Sequence, residues 1–201
     1  MYGERVASGL TSLTLSERRR LCAAVIALVV GMLAVCTVTA QSPGATEYQV
    51  KAVYLYNFGR FVAWPVSAPA SESFSICVLG HDPFGQILDT TLTGLSIDSK
   101  AVTVHRLTAP EEATRCRIVF ISESEAPHLK ETLAALEKSS VLTVSDIPQF
   151  AQRGGVIEFV LAGNRVRFEI NLTIAQSEGL VLSSDLLKVA IAVRKSVNTG
   201  D

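Results

Sequence analysis

Between Glu47 and Trp64 the apolar side chains Val50, Val53, Tyr54, Phe58, Phe61 and Val62 recur at spacings of three and four, which predicts an amphipathic helix. Glu47 and Lys51 stand one turn apart on its polar side, and Pro65 stops it. Phe74-Ser75-Ile76-Cys77-Val78-Leu79 is a continuous apolar run with β-branched and aromatic members, the signature of a buried strand. Asp82 and Pro83 read as the N-cap and first position of a helix reaching Thr91. Ala101 to Leu107 alternates weakly as a second strand, Glu111 to Thr114 is at most a short helix, and Cys116 to Ser122 is a third strand. Ser122-Glu123-Ser124-Glu125 caps a predicted helix from Ala126 to Lys138, followed by a strand at Val141 to Ser145 and a short turn or helix from Pro148 to Gln152. Val156 to Leu161 and Arg165 to Ile170 flank Gly163-Asn164, a hairpin signal. Helical segments at Leu172 to Gln176 and Asp185 to Lys195 follow, separated by Gly179 and Ser183-Ser184.

Strands that alternate with helices, some of them continuous apolar runs, predict a three-layer α/β sandwich. The expected sheet is mostly parallel, of five or six strands, with one antiparallel hairpin. Only Ala63 to Ser73, with Pro65, Pro69 and three serines, reads as an exposed loop.

The first forty residues have another character. Arg18, Arg19 and Arg20 precede an uncharged apolar run from Leu21 to Val38, and Val38-Thr39-Ala40 places small residues before a cut at Gln41. Basic region, apolar region and small-residue site are the parts of a secretory signal, so residues 1–40 are read as a signal peptide and 41–201 as a single domain. An uncleaved anchor would also leave the domain on the outer side of the membrane. A lipid-modified Cys36 would give a third exported form, although Val35 fits poorly as the preceding residue.

Removing the signal takes away four Lys/Arg and two Asp/Glu, which moves the formal net charge from −1 to −3. With no basic stripe after Lys51, nucleic acid is excluded as a partner class. Cys22 and Cys36 belong to the amino-terminal segment, leaving Cys77 and Cys116 as an even pair in an oxidising compartment. Compartment and pairing favour a disulfide; two buried thiols serving as small core residues are the alternative.

Enzyme signatures are missing. The three histidines, His81, His105 and His128, lie in no metal-binding spacing, and there is no C-x-x-C, nucleophile elbow or phosphate loop. No cofactor is expected. In a parallel sheet, ligands collect beyond the carboxyl ends of strands, which here carry His81, Asp82, Ser122 and Asp146. Helix capping explains most of these residues as well. Arg165, Arg167 and Glu169 alternate on one face of the last strand, opposite Val166, Phe168 and Ile170, and form a charged strip suited to a protein partner. The aromatic residues Tyr56, Phe61 and Trp64 of the first helix are further contact candidates, with core packing as their other role. The residues therefore point to an exported binding domain rather than a catalyst, with a small-molecule sensor as the second reading.

Six stretches, in order, resemble the YfiR family of periplasmic regulators: Val50 to Pro65, Cys77 to Gly85, Cys116 to Ser122, Val141 to Asp146, Gly154 to Ile157 and Arg165 to Leu172. The resemblance spans residues 46–194. It implies a dimeric α/β sandwich that holds a membrane-bound diguanylate cyclase inactive by contacting its periplasmic sensor part. An outer-membrane lipoprotein would draw it away. It also implies a disulfide between Cys77 and Cys116. Some members carry a second cysteine pair after the fourth strand; this chain has none there.

Overall fold

The computed structural model describes residues 43–66 and 72–195. The predicted signal peptide, the cut at Gln41 and Cys36 lie outside the described residues. Six strands carry most of the sheet: β2 (Phe74–Leu79), β4 (Lys100–Leu107), β5 (Ile118–Ile121), β6 (Leu142–Ser145), β7 (Ile157–Ala162) and β8 (Arg165–Asn171). Two short strands, β3 (Ser96–Ile97) and β10 (Ala192–Arg194), extend its ends, giving the order β10-β8-β7-β6-β5-β2-β4-β3. The run β4-β2-β5-β6-β7 is parallel. In chain order this is the 2-1-3-4-5 arrangement of flavodoxin-type doubly wound sheets. β8 returns antiparallel to β7, and β10 runs parallel to β8.

Gly163 and Asn164 both have positive φ, 56° and 58°, as the β7–β8 turn requires. A second hairpin, β3–β4, was not predicted. Its corner is Asp98-Ser99, with φ of 50° and 64°. Aspartate tolerates the left-handed region, but without glycine the pair gives only a weak sequence signal.

Helices α1 (Pro43–Phe61), α2 (Gln86–Leu92), α3 (Leu129–Ala135), α4 (Leu172–Ser177) and α5 (Ser184–Val189) complete the layers. α1 ends three residues before Trp64 because Val62–Ala63 (β1) pairs antiparallel with Val181–Leu182 (β9). Asp82 does not cap α2: its carboxylate accepts from Phe84 N–H at 2.8 Å, and Gly85, at φ 52°, precedes the helix. The helix predicted at 126–138 is divided into a 3₁₀ turn over Glu123–His128 and α3. Pro127, which has no N–H to donate, lies at that division. The last predicted helix stops at Val189, since Ala192–Arg194 gains a ladder beside Glu169–Asn171.

All six residues of β2 are buried, and their alternation separates two cores. Ile76 and Val78 join Leu55, Phe58, Phe84, Phe120 and Phe168 on the α1 side. Cys77 and Leu79 join Val119, Ile121, Leu129 and Phe150 on the α3 side. Phe58 anchors the first core, with its ring 5.1 Å from Phe168 and 5.7 Å from Phe159. Cys77 and Cys116 form a disulfide, with Cα atoms 6.1 Å apart.

The inward stripe of α1 is Lys51, Ala52, Leu55, Phe58, Gly59 and Val62. The helical period is the predicted one, but its phase differs. Val50, Val53 and Phe61 face outward, while Lys51, predicted on the polar side, is only 2% exposed. α1 is apolar on both flanks, so spacing alone could not choose the inward one.

Candidate functional site

At the switch point between β2 and β5, where such sheets open a ligand crevice, this chain closes on itself. His81 N–H donates to Ser124 Oγ at 3.0 Å, and Ser122 Oγ accepts from Ser124 N–H at 3.5 Å. Gly80 has φ of 86°, and Ser124 and Glu125 occupy the space a Cβ would need. Gly80→Ala is therefore expected to cost about 1–3 kcal/mol through backbone strain and crowding, read as a lower urea midpoint. An unchanged midpoint would show that the loop can relax.

The four strand-end candidates do not converge. His81 is exposed, and Ser122 is buried. Asp82 accepts from Arg106 Nε at 2.9 Å. Asp146 accepts from Tyr48 Oη at 3.0 Å and from Lys51 Nζ at 2.6 Å. Two ion clusters thus tie helices to the carboxyl edge of the sheet.

In the first cluster Lys51 also pairs with Glu47 at 2.5 Å and lies 4.3 Å from the centroid of the Tyr48 ring. Burial, reinforced by the Asp146 carboxylate, pushes the Tyr48 phenol above its ordinary range, so it keeps the proton it donates. Beside the cluster opens a cleft of about 410 Å³, lined by Glu47, Tyr48, Lys51, Glu123, Asp146, Glu158 and Phe159 among others. Glu158 is buried, and its carboxylate accepts from Gln149 N–H at 2.9 Å and Ala151 N–H at 3.1 Å. Lys51 and Tyr48 were missed as site residues; a cation inside the run Val50 to Tyr54 was the available signal.

In the second cluster Arg106 donates to Asp82, to Asp89 and to the Gly85 carbonyl, the last at 2.8 Å. Hydrogen bonding from Arg106, joined by its charge, holds the Asp89 carboxyl below its usual range. A depressed carboxyl favours the fold above the unfolded value of about 3.9, and the contribution is lost as pH falls through the folded value. Because Asp89 is half exposed, the expected loss on acidification below pH ~4 is at most about 1 kcal/mol. Asp89→Asn should flatten that part of the stability profile; an identical acid slope in wild type and variant would refute the assignment.

The second feature is a surface. The outward stripe of α1 leaves Val50 39%, Val53 45% and Phe61 38% exposed. Three shallow clefts share its residues. One, of about 500 Å³, brings Thr46 and Val50 beside Leu161, Arg165 and Val166 of the β7–β8 hairpin. A second, of about 510 Å³, continues over Val50, Val53, Tyr54 and Asn57. A third, of about 310 Å³, carries the strip from Tyr54 and Asn57 over Phe58, Arg60 and Phe61 to Asp185, Leu186 and Val189 of α5. Exposed Ile191 lies two residues beyond Val189. A continuous exposed apolar strip with a polar rim has the anatomy of a protein-binding surface.

Of the predicted contact residues, Phe61 lies in this strip and Arg165 at its rim. Tyr56 turns toward β3, where its hydroxyl donates to the Ser96 carbonyl at 3.2 Å. Trp64 packs edge-on against Phe74 with centroids 5.3 Å apart. Glu169 pairs with Arg194 of β10 at 2.7 Å, so β10 covers that end of the charged strip, and Arg167 is partly buried. Among the described residues, no helix is long and apolar enough to cross a membrane.

Sheet order and the closed switch point define the class: a doubly wound α/β domain. Residues 48–191 match the DUF4154, YfiR/HmsC-like, family, and the chain belongs to it. No curated protein matches it in sequence. A conserved domain protein from Vibrio cholerae O1 biovar El Tor has a similar fold, with a TM-score of 0.54 and 10% identity. That match covers 73% of this chain, which spans 60% of the other chain's length. An ABC domain from Streptococcus pneumonia, solved with L-Trp, superposes with a TM-score of 0.46 and 11% identity over 76% of this chain and 60% of its own.

Proposed function

We propose that this chain is an exported, non-catalytic regulator that restrains a membrane-bound sensor, a diguanylate cyclase, by binding its periplasmic part. The contact surface is the outward strip of α1, with α5 and the β7–β8 hairpin at its ends. Family membership supports the class of action, and the cyclase is the target expected from it. The observation that carries the surface is the double-sided helix: one apolar stripe is covered by the sheet, and the other is covered by nothing among the described residues. A helix apolar on both flanks needs a second cover.

The test is intracellular cyclic di-GMP in the parent strain and in a deletion of the gene, with complementation. Deletion is expected to raise the nucleotide, and the exported wild type to restore it. Val53→Asp and Phe61→Asp should fold with unchanged midpoints, because both positions face solvent, yet fail to restore the low level. Complementation by both variants at wild-type efficiency would remove the strip from the mechanism. No change on deletion would remove the cyclase.

A further inference from the structure

The outward strip of α1 repeats at helical intervals. Val50, Val53, Asn57 and Phe61 are spaced by three, four and four positions and follow one side of the helix for about 16 Å. The backbone beneath them is paired within α1, so an incoming strand finds no ladder there. The side-chain ridges of a second helix, in contrast, fit between residues at this spacing. The β7–β8 hairpin and α5 stand at the two ends of the strip and form clefts with it.

The free charge beside the strip is of one sign. Arg165 lines the cleft at the hairpin end and Arg60 the cleft at the α5 end, and both side chains are exposed. Arg60 lies 5.9 Å from the centroid of the Tyr56 ring, but neither arginine makes an ion pair among the described residues. The carboxylates lining the same clefts are already engaged: Glu47 pairs with Lys51, and Asp185 pairs with Lys188 at 3.2 Å. The rim is therefore cationic on a chain whose formal net charge is −1. Between the two arginines Asn57 lines two of the clefts, and its carboxamide has no hydrogen-bond partner among the described residues.

We infer that the occupant of the strip is an acidic amphipathic helix of the membrane partner. Its apolar face covers Val50, Val53 and Phe61, and carboxylates on its flanks meet Arg60 and Arg165. One polar side chain in the middle of that apolar face meets Asn57. The inference rests on the regulatory reading of the strip given above and adds the chemistry of what binds there. An asparagine inside an apolar seam fixes register, because any other alignment buries its carboxamide without a partner. The same residue speaks against an anionic membrane, the other surface that combines negative charge with apolar cover: acyl chains offer a carboxamide no hydrogen bond.

Two synthetic peptides of about eighteen residues, long enough to be helical in water, test this on the purified exported chain. Both carry the same leucine face with one central glutamine; the flanks are glutamate in one and lysine in the other. Fluorescence anisotropy is expected to show the glutamate peptide bound about tenfold more tightly, with the preference shrinking at high salt. Arg60→Glu combined with Arg165→Glu should reverse the preference at an unchanged urea midpoint, since both side chains are exposed. Equal binding of the two peptides, or a preference for lysine, overturns the acidic chemistry. Binding of neither overturns the helix, whether the strip is filled by the chain's own tail, by a second copy or by phosphatidylglycerol vesicles that capture the protein. A charge-reversed variant that still prefers glutamate overturns the assignment to Arg60 and Arg165. The regulatory reading fails separately, if Val53→Asp and Phe61→Asp restore the low cyclic di-GMP level.

Discussion

Lys51→Met is expected to lower the unfolding free energy by about 3 kcal/mol, near the low end of what removing one partner of a buried ion pair costs. The ammonium is nearly inaccessible and sits between Asp146, at 2.6 Å, and Glu47. Taking it away leaves two carboxylates facing each other, with the Tyr48 hydroxyl, among the described residues, as the remaining side-chain donor to Asp146. The loss stays at the low end because both carboxylates retain some water. Adding Asp146→Asn to Lys51→Met should recover part of the loss, since the second change removes an uncompensated charge. Urea melts of the two single variants and the double variant form the required cycle. If Lys51→Met melts with wild type, the ammonium is solvated in solution and α1 is not tied to β6 through it.

Replacing Cys77 and Cys116 together by Ala is expected to cost about 4 kcal/mol. The two residues are 39 positions apart, and closing a loop of that size removes about that much chain entropy from the unfolded state. The bond joins the middle of β2 to a residue two positions before β5 and so bypasses the whole β4 crossover. Cys77 is fully buried and Cys116 nearly so. A reductant should therefore reach the bond only after local opening, and the native protein should resist mild reduction. Denaturant midpoints of the double variant, and of wild type with and without reductant in denaturant, measure both effects. A double variant within about 1 kcal/mol of wild type would mean that the unfolded chain is already compact around the loop.

The six main strands were legible in the sequence because each is a short apolar or alternating run bounded by turn residues, as Phe74 to Leu79 illustrates. The doubly wound class followed from their alternation with helices. What escaped depended on tertiary pairing. Val62 and Ala63 leave α1 only because Val181 and Leu182 lie beside them, and Ala192 to Arg194 become extended because β8 offers an edge. The site was less legible than the fold. Asp82 and Asp146 were visible as polar strand ends, but their partners Arg106 and Lys51 come from positions 24 and 95 residues away. The phase of α1 was ambiguous because Val50, Val53 and Phe61 satisfy the spacing of a core stripe while facing outward.

Gly59 fixes how closely that helix is seated. A Cβ there would run into Ile97 and Phe74, so α1 can neither roll nor lift without opening the first core. Its inner stripe is therefore under steric constraint, whereas the outer stripe is free to vary without disturbing the fold. Under the function proposed above, a lineage carrying this domain could redirect it to a new receptor by drift at positions 50, 53 and 61 alone. An engineer could do the same by diversifying those three positions on an otherwise unaltered scaffold.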